Sequence, residues 1–126
     1  MHNLNEGILV CRLSELADIQ AISRELTVGE RKFSVIVCRD NNAVRVFLNS
    51  CPHTGVRLEW RENDFMDGSG KYLMCSMHGA LFQPNDGVCV EGPCVGDSLV
   101  ALATMVDNDC LYVLDADAAP QSARRP

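Results

Sequence analysis

The sequence predicts an all-β protein, an antiparallel sandwich or barrel of many short strands. Short runs rich in β-branched and aromatic residues recur along the chain, as in "RKFSVIVCR" (31–39) and "AVRVFLN" (43–49). Turn chemistry separates them, with "DNN" at 40–42, "PNDG" at 84–87 and "DND" at 107–109. The length, 126 residues, is that of one domain.

The elements follow in order. "GILVCRL" (7–13) is short, apolar and partly alternating, and reads as a strand. "SELADIQAI" (14–22) is ambiguous; Ser14 is a candidate cap for a short helical turn that includes Glu15 and Asp18. The segments 31–39 and 43–49 make a hairpin around 40–42. "RLEWRENDFMDGSG" (57–70) holds no sustained period and reads as a long connection. "KYLMC" (71–75) and "GALFQ" (79–83) read as two short strands before the turn at 84–87. "VCV" (88–90) leads into a Gly/Pro-rich loop, "EGPCVGD" (91–97). "SLVALATMV" (98–106) and "CLYVL" (110–114) form a last hairpin around 107–109. Residues 1–115 are expected to form the single domain. The small, polar stretch 116–126 is expected to be a flexible tail.

Composition excludes some functions. Hydrophobic residues make up 47 %, enough for a core and far from disorder. The net charge of -6 argues against nucleic acid, whose phosphates need a basic face, and fits a positively charged protein partner. No run of apolar residues is long enough for a membrane helix, and no secretory signal is visible. Seven cysteines cannot all pair with one another, so the expected compartment is a reducing cytoplasm.

The chemistry lies in two short stretches. "CPHTG" (51–55) holds Cys51 and His53, and "CSMHG" (75–79) holds Cys75 and His78. Each stretch ends in a glycine, Gly55 or Gly79, which permits the turn that lets a thiol and an imidazole converge at a loop tip. Two sulfurs and two nitrogens suit a tetrahedral zinc ion. They also suit a [2Fe–2S] centre with both histidines on one iron. A mixed Cys–His pair in each loop favours the second, because structural zinc sites more often pair their cysteines together.

"CPHTG", "CSMHGALFQPNDG" and "EGP" together resemble the Rieske iron–sulfur family over roughly residues 49–96. The resemblance implies three small antiparallel sheets forming a sandwich, with two cluster-binding loops. It implies one [2Fe–2S] cluster, with Cys51 and Cys75 on the inner iron and His53 and His78 on the outer one. The loop at Gly92–Pro93 would cover the cluster. Two ferric ions, two sulfides and two thiolates carry no net charge, so neutral imidazoles raise the potential to about -150 to +300 mV. High-potential members bridge the cluster loops with a disulfide at the positions of Val56 and Met77, and place a serine and a tyrosine where Ala80 and Phe82 stand here. Fewer donors to sulfur leave the reduced charge less stabilised, so a low-potential centre is expected.

The chain resembles a soluble ferredoxin that passes single electrons from a flavin reductase to a terminal oxygenase or similar acceptor. No catalytic residue is assigned. With three histidines, two of them already used, the chain has no set of ligands for an oxygenase's mononuclear iron. Three other readings stay open: the Rieske-like small subunit of an assimilatory nitrite reductase, a non-redox zinc-binding interaction module, and a redox sensor or orphan electron carrier. Cys11, Cys38 and Cys110 read as core thiols inside strand patterns. Cys89 and Cys94 flank "VEGP" and read as packing rather than a disulfide. Glu59, Glu62, Asp64 and Asp67 read as a solvated acidic loop, and Trp60 as packing. His2 carries no assigned role.

Overall fold

The structure, a computed structural model, describes residues 7–16, 20–28, 30–40, 43–52, 55–59, 64–77 and 79–114. His2, His53, Trp60, Glu62, His78 and the expected tail lie outside them. Ten strands run in chain order among the described residues: β1 (Ile8–Arg12), β2 (Gln20–Val28), β3 (Arg31–Asp40), β4 (Ala43–Leu48), β5 (Leu73–Met74), β6 (Leu81–Phe82), β7 (Cys89–Glu91), β8 (Ala101–Leu102), β9 (Thr104–Asp107) and β10 (Cys110–Val113). They form three antiparallel sheets, in the orders β1-β10-β9, β2-β3-β4-β8 and β5-β6-β7. No described helix is long and apolar enough to cross a membrane.

The four-stranded sheet is the middle layer. Successive side chains of a strand point to opposite faces. On β3, Val35 and Val37 enter one core with Val10, Leu111 and Val113 of the first sheet. Ile36 and Cys38 enter a second core with Cys51, Leu73, Cys75 and Phe82. β4 repeats the division, with Val46 and Leu48 on one side and Phe47 on the other. Burial on both faces explains why "FSVIVC" reads as a nearly unbroken apolar run.

Several expectations change. β2 is nine residues long and pairs along its whole length with β3, yet it was not anticipated beyond the ambiguous stretch ending at residue 22. Glu25 and Thr27 are exposed on one face and Arg24 interrupts the other, so no apolar run marks the strand. Ser14 caps nothing: it lies inside a 3-10 turn, Leu13–Glu15, that starts after Arg12. Glu15 does the capping, its Oε2 accepting from the Arg12 N–H at 3.0 Å while Oε1 meets Arg24 at 2.7 Å. Those contacts, the Arg12 N–H foremost, hold the Glu15 carboxyl below its ordinary range.

The run 98–106 is not one strand. β8 pairs with β4 in the middle sheet, and β9 pairs with β10 in the outer one. The chain changes sheets at Ala103, whose carbonyl accepts from the Leu114 N–H at 2.8 Å. The last hairpin turns as expected, with Asn108 and Asp109 both left-handed at φ 55° and 66°. Cys11 and Cys38 are buried as expected, whereas Cys110 at the edge of β10 is only half-buried.

Candidate metal centre

Two loops close in the same way. The Cys51 N–H donates to the Val56 carbonyl at 2.7 Å, and the Gly55 N–H donates back to the Cys51 carbonyl at 2.7 Å. The Cys75 N–H donates to the Ala80 carbonyl at 2.9 Å, and the Gly79 N–H donates back to the Cys75 carbonyl at 2.8 Å. Each loop is therefore a closed turn with a cysteine at its base and a left-handed glycine near its end, Gly55 at φ 80° and Gly79 at φ 74°. Cys51 and Cys75 are both buried in the second core. His53 falls inside the first turn and His78 inside the second by sequence, and both lie outside the described residues.

A buried polar network holds the first turn in place. Asn49 follows β4 directly. Its Nδ2 donates to Ser34 Oγ at 3.1 Å and to Glu59 Oε1 at 3.0 Å, and its Oδ1 accepts from the Leu58 N–H at 3.0 Å. Glu59 is thus no part of a solvated acidic loop. Its side chain is only 3 % exposed, and its other oxygen meets Arg57 at 2.7 Å. Burial is possible because both carboxylate oxygens have donors. Of the other acidic positions, Asp64 is exposed, while Asp67 binds the Ser69 hydroxyl and Tyr72 N–H. The second turn is tied to the first through the Ser76 N–H, which donates to the Leu58 carbonyl at 2.7 Å.

The third loop presses on the second turn. At Gly92, φ is 108°, and a Cβ there would stand 2.7 Å from Ala80 Cα. Only glycine allows so close an approach. Cys89 and Cys94 border this loop, buried in the same core as Cys51 and Cys75. Their sulfurs are 3.1 Å apart and unbonded. Burial, then Cys89 and then Cys51 push the Cys94 thiol up to about 12. Ala80 and Phe82 are buried and carry no hydroxyl, and Met77 is 44 % exposed.

These residues fit an iron–sulfur cluster. Two buried thiols stand at the bases of matched turns, and the third loop lies against the second. The structure brings Cys51 and Cys75 into one core. Asn49 and Ser34 have no assigned role in the sequence, and Glu59 reads there as part of a solvated acidic loop. The only signal was a polar residue directly after an apolar strand, too common to single out.

Comparison with known proteins gives a family and a fold. A family model described as the Rieske [2Fe-2S] domain matches residues 6–106. No curated protein matches the sequence. The fold resembles the ferredoxin of carbazole 1,9a-dioxygenase from Nocardioides aromaticivorans IC177, with a TM-score of 0.63 at 22 % identity over 85 % of this chain and 95 % of that one. It resembles the ferredoxin of Sphingomonas yanoikuyae B1 equally, with a TM-score of 0.64 at 18 % identity over 85 % and 96 %. It also matches part of the terminal oxygenase of carbazole 1,9a-dioxygenase from Novosphingobium sp. KA1, with a TM-score of 0.65 at 19 % identity over 86 % of this chain and 29 % of that one. With its matched turns, its buried thiols and a family match across most of its length, the chain belongs to the Rieske [2Fe-2S] domain family.

Proposed function

We propose that this protein is a one-electron carrier, a Rieske-type ferredoxin that takes electrons from a flavin reductase and delivers them to a terminal oxygenase or similar acceptor. The carrying observation is the pair of closed turns with buried Cys51 and Cys75 at their bases, in a chain that matches the Rieske family. Cys51, His53, Cys75 and His78 would hold the cluster, two thiolates and two imidazoles together. The cluster supplies reversible one-electron chemistry in the potential range of histidine-ligated centres. The protein's share is to bury the sulfur ligands, satisfy the backbone around them and present the loop tips.

The exposed tips suit a docking partner. Met77 on the second turn and Val90 and Val95 beside the third loop are exposed apolar residues. The net charge of -6 favours a basic partner face. A neighbour of similar fold was solved as a complex of reduced oxygenase and oxidized ferredoxin in carbazole 1,9a-dioxygenase, which supports an oxygenase as the acceptor. A reducing cytoplasm accords with seven cysteines that form no disulfide with one another. Residues 1–115 are taken as the single domain.

The test is metal and sulfide analysis of protein purified without air or chelator, followed by electron paramagnetic resonance after reduction. Iron and acid-labile sulfide in equal amounts, with a reducible signal, are expected. One zinc per chain and no sulfide would refute the proposal. With Ala80 and Phe82 in place of hydroxyl donors, the midpoint potential should fall below roughly +100 mV, in the lower part of the family range.

A further inference from the structure

The third loop carries chemistry that electron transfer leaves unused. Cys89 stands on β7 opposite Phe82, and Cys94 comes five residues later. Between them Val90, Glu91, Gly92 and Pro93 are exposed, while both cysteines are only 2 % exposed. The backbone pins the two ends together. The Cys89 N–H donates to the Asp97 carbonyl at 2.9 Å, and the Asp97 N–H donates to the Cys94 carbonyl at 2.9 Å. Cys89 Sγ donates to the Glu91 carbonyl at 3.3 Å, which leaves Cys94 as the donor across the 3.1 Å gap between the sulfurs. A disulfide has its sulfurs about 2.05 Å apart, so closure needs a movement of only about 1 Å.

We infer that Cys89 and Cys94 form a second redox site, a dithiol that a low-molecular-weight disulfide such as oxidised glutathione converts into an intramolecular disulfide across the third loop. Cys89 gives up its proton, bonds to one sulfur of the small disulfide and expels the other half, which takes up a proton. Cys94 then gives up its proton, bonds to the Cys89 sulfur and releases the second half as a thiol. One protein S–S bond forms and one small-molecule S–S bond breaks. Two electrons pass from the protein pair to the small disulfide, and two protons go with them. Both thiols are buried, so the exchange is slow, on the scale of minutes to hours. The pairing is read from the geometry of this loop, and Cys94 also lies beside Cys51 in the same core.

The experiment equilibrates the iron-loaded protein overnight, without air, in glutathione buffers of graded oxidised-to-reduced ratio. Acid quenching, alkylation and mass spectrometry then count and locate the thiols. The fraction lacking two alkylatable thiols should rise with the oxidised share, map to Cys89 and Cys94, and reverse in excess reduced glutathione. The visible spectrum should persist throughout. Cys94→Ser and Cys94→Ala should each abolish the two-thiol loss, the serine variant preserving the packing. Full alkylation of Cys89 and Cys94 in the most oxidising buffer would overturn the inference. So would a lasting glutathione adduct on Cys89, or a bond between Cys94 and Cys51. Iron and sulfide analysis of the same sample reads the electron-carrier proposal separately.

Discussion

Cys51 and Cys75 differ from the remaining cysteines by where the backbone puts them, each at the base of a turn closed by the same pair of hydrogen bonds. Burial alone does not distinguish them, since Cys11, Cys38, Cys89 and Cys94 are buried too. The ligand assignment therefore has a residue-scale test. His78→Ala should abolish the visible spectrum and lower the melting temperature, because metal binding contributes folding free energy. Cys110→Ser, at a half-buried strand end, should leave the spectrum unchanged. Cys11 offers a different readout. Burial foremost, and then Glu15, raise its thiol above the ordinary value of 9.0, so the folded state favours the neutral form. A raised value of this kind gives stability that is fully present below about pH 9 and is lost as pH rises through the higher folded value. Denaturant unfolding between pH 8 and about 11 should show that decline, and Cys11→Ala should make it shallower.

Among the elements, the junction between β4 and the first turn is organised around Asn49. Asn49 uses its carbonyl and its amide at once, joining β3 through Ser34, the loop through Leu58 and the buried Glu59. Asn49→Ala would leave the Leu58 N–H without its acceptor and Glu59 short of a donor. The expected cost is about 1–3 kcal/mol, together with faster iron loss to a chelator. Iron release and urea midpoints measured side by side check both parts. An unchanged release rate would mean that the first turn holds its shape without Asn49. The same scale shows why β5 and β6 are only two residues each. The predicted strands 71–75 and 79–83 surrender their ends to the second turn, where Cys75 and Ala80 bond each other instead of a neighbouring strand.

At the level of the whole molecule, the middle sheet divides the protein into two cores, and only one of them contains the thiols of the proposed centre. The core shared with β1 and β10 is aliphatic apart from Phe33 and Cys11. Removing the metal should therefore loosen the molecule unevenly. Hydrogen exchange of the iron-free protein should speed up over residues 51–59 and 75–97. The paired amides of β2 and β3 should stay protected. Uniform loss of protection would show that the two cores unfold as one unit.

The all-β class, the central hairpin, the turns at 84–87 and 107–109 and the family were all legible in the sequence. Strand composition, turn residues and ligand spacing are local properties, and a local pattern carries them. The long strand β2 was hidden because its partly solvated face breaks the apolar run, and pairing with β3 outweighs weak propensity. The sheet change at Ala103 was hidden because one alternating run satisfies either sheet equally well. The burial of Glu59 and the 3.1 Å approach of Cys89 to Cys94 were hidden for a related reason. Glu59 goes inside because Asn49 and Arg57 bring donors to both its oxygens, and the two thiols meet because Asp97 holds both ends of their loop. That meeting is decided by tertiary packing, whereas the identity of the donors was written in the order of the residues.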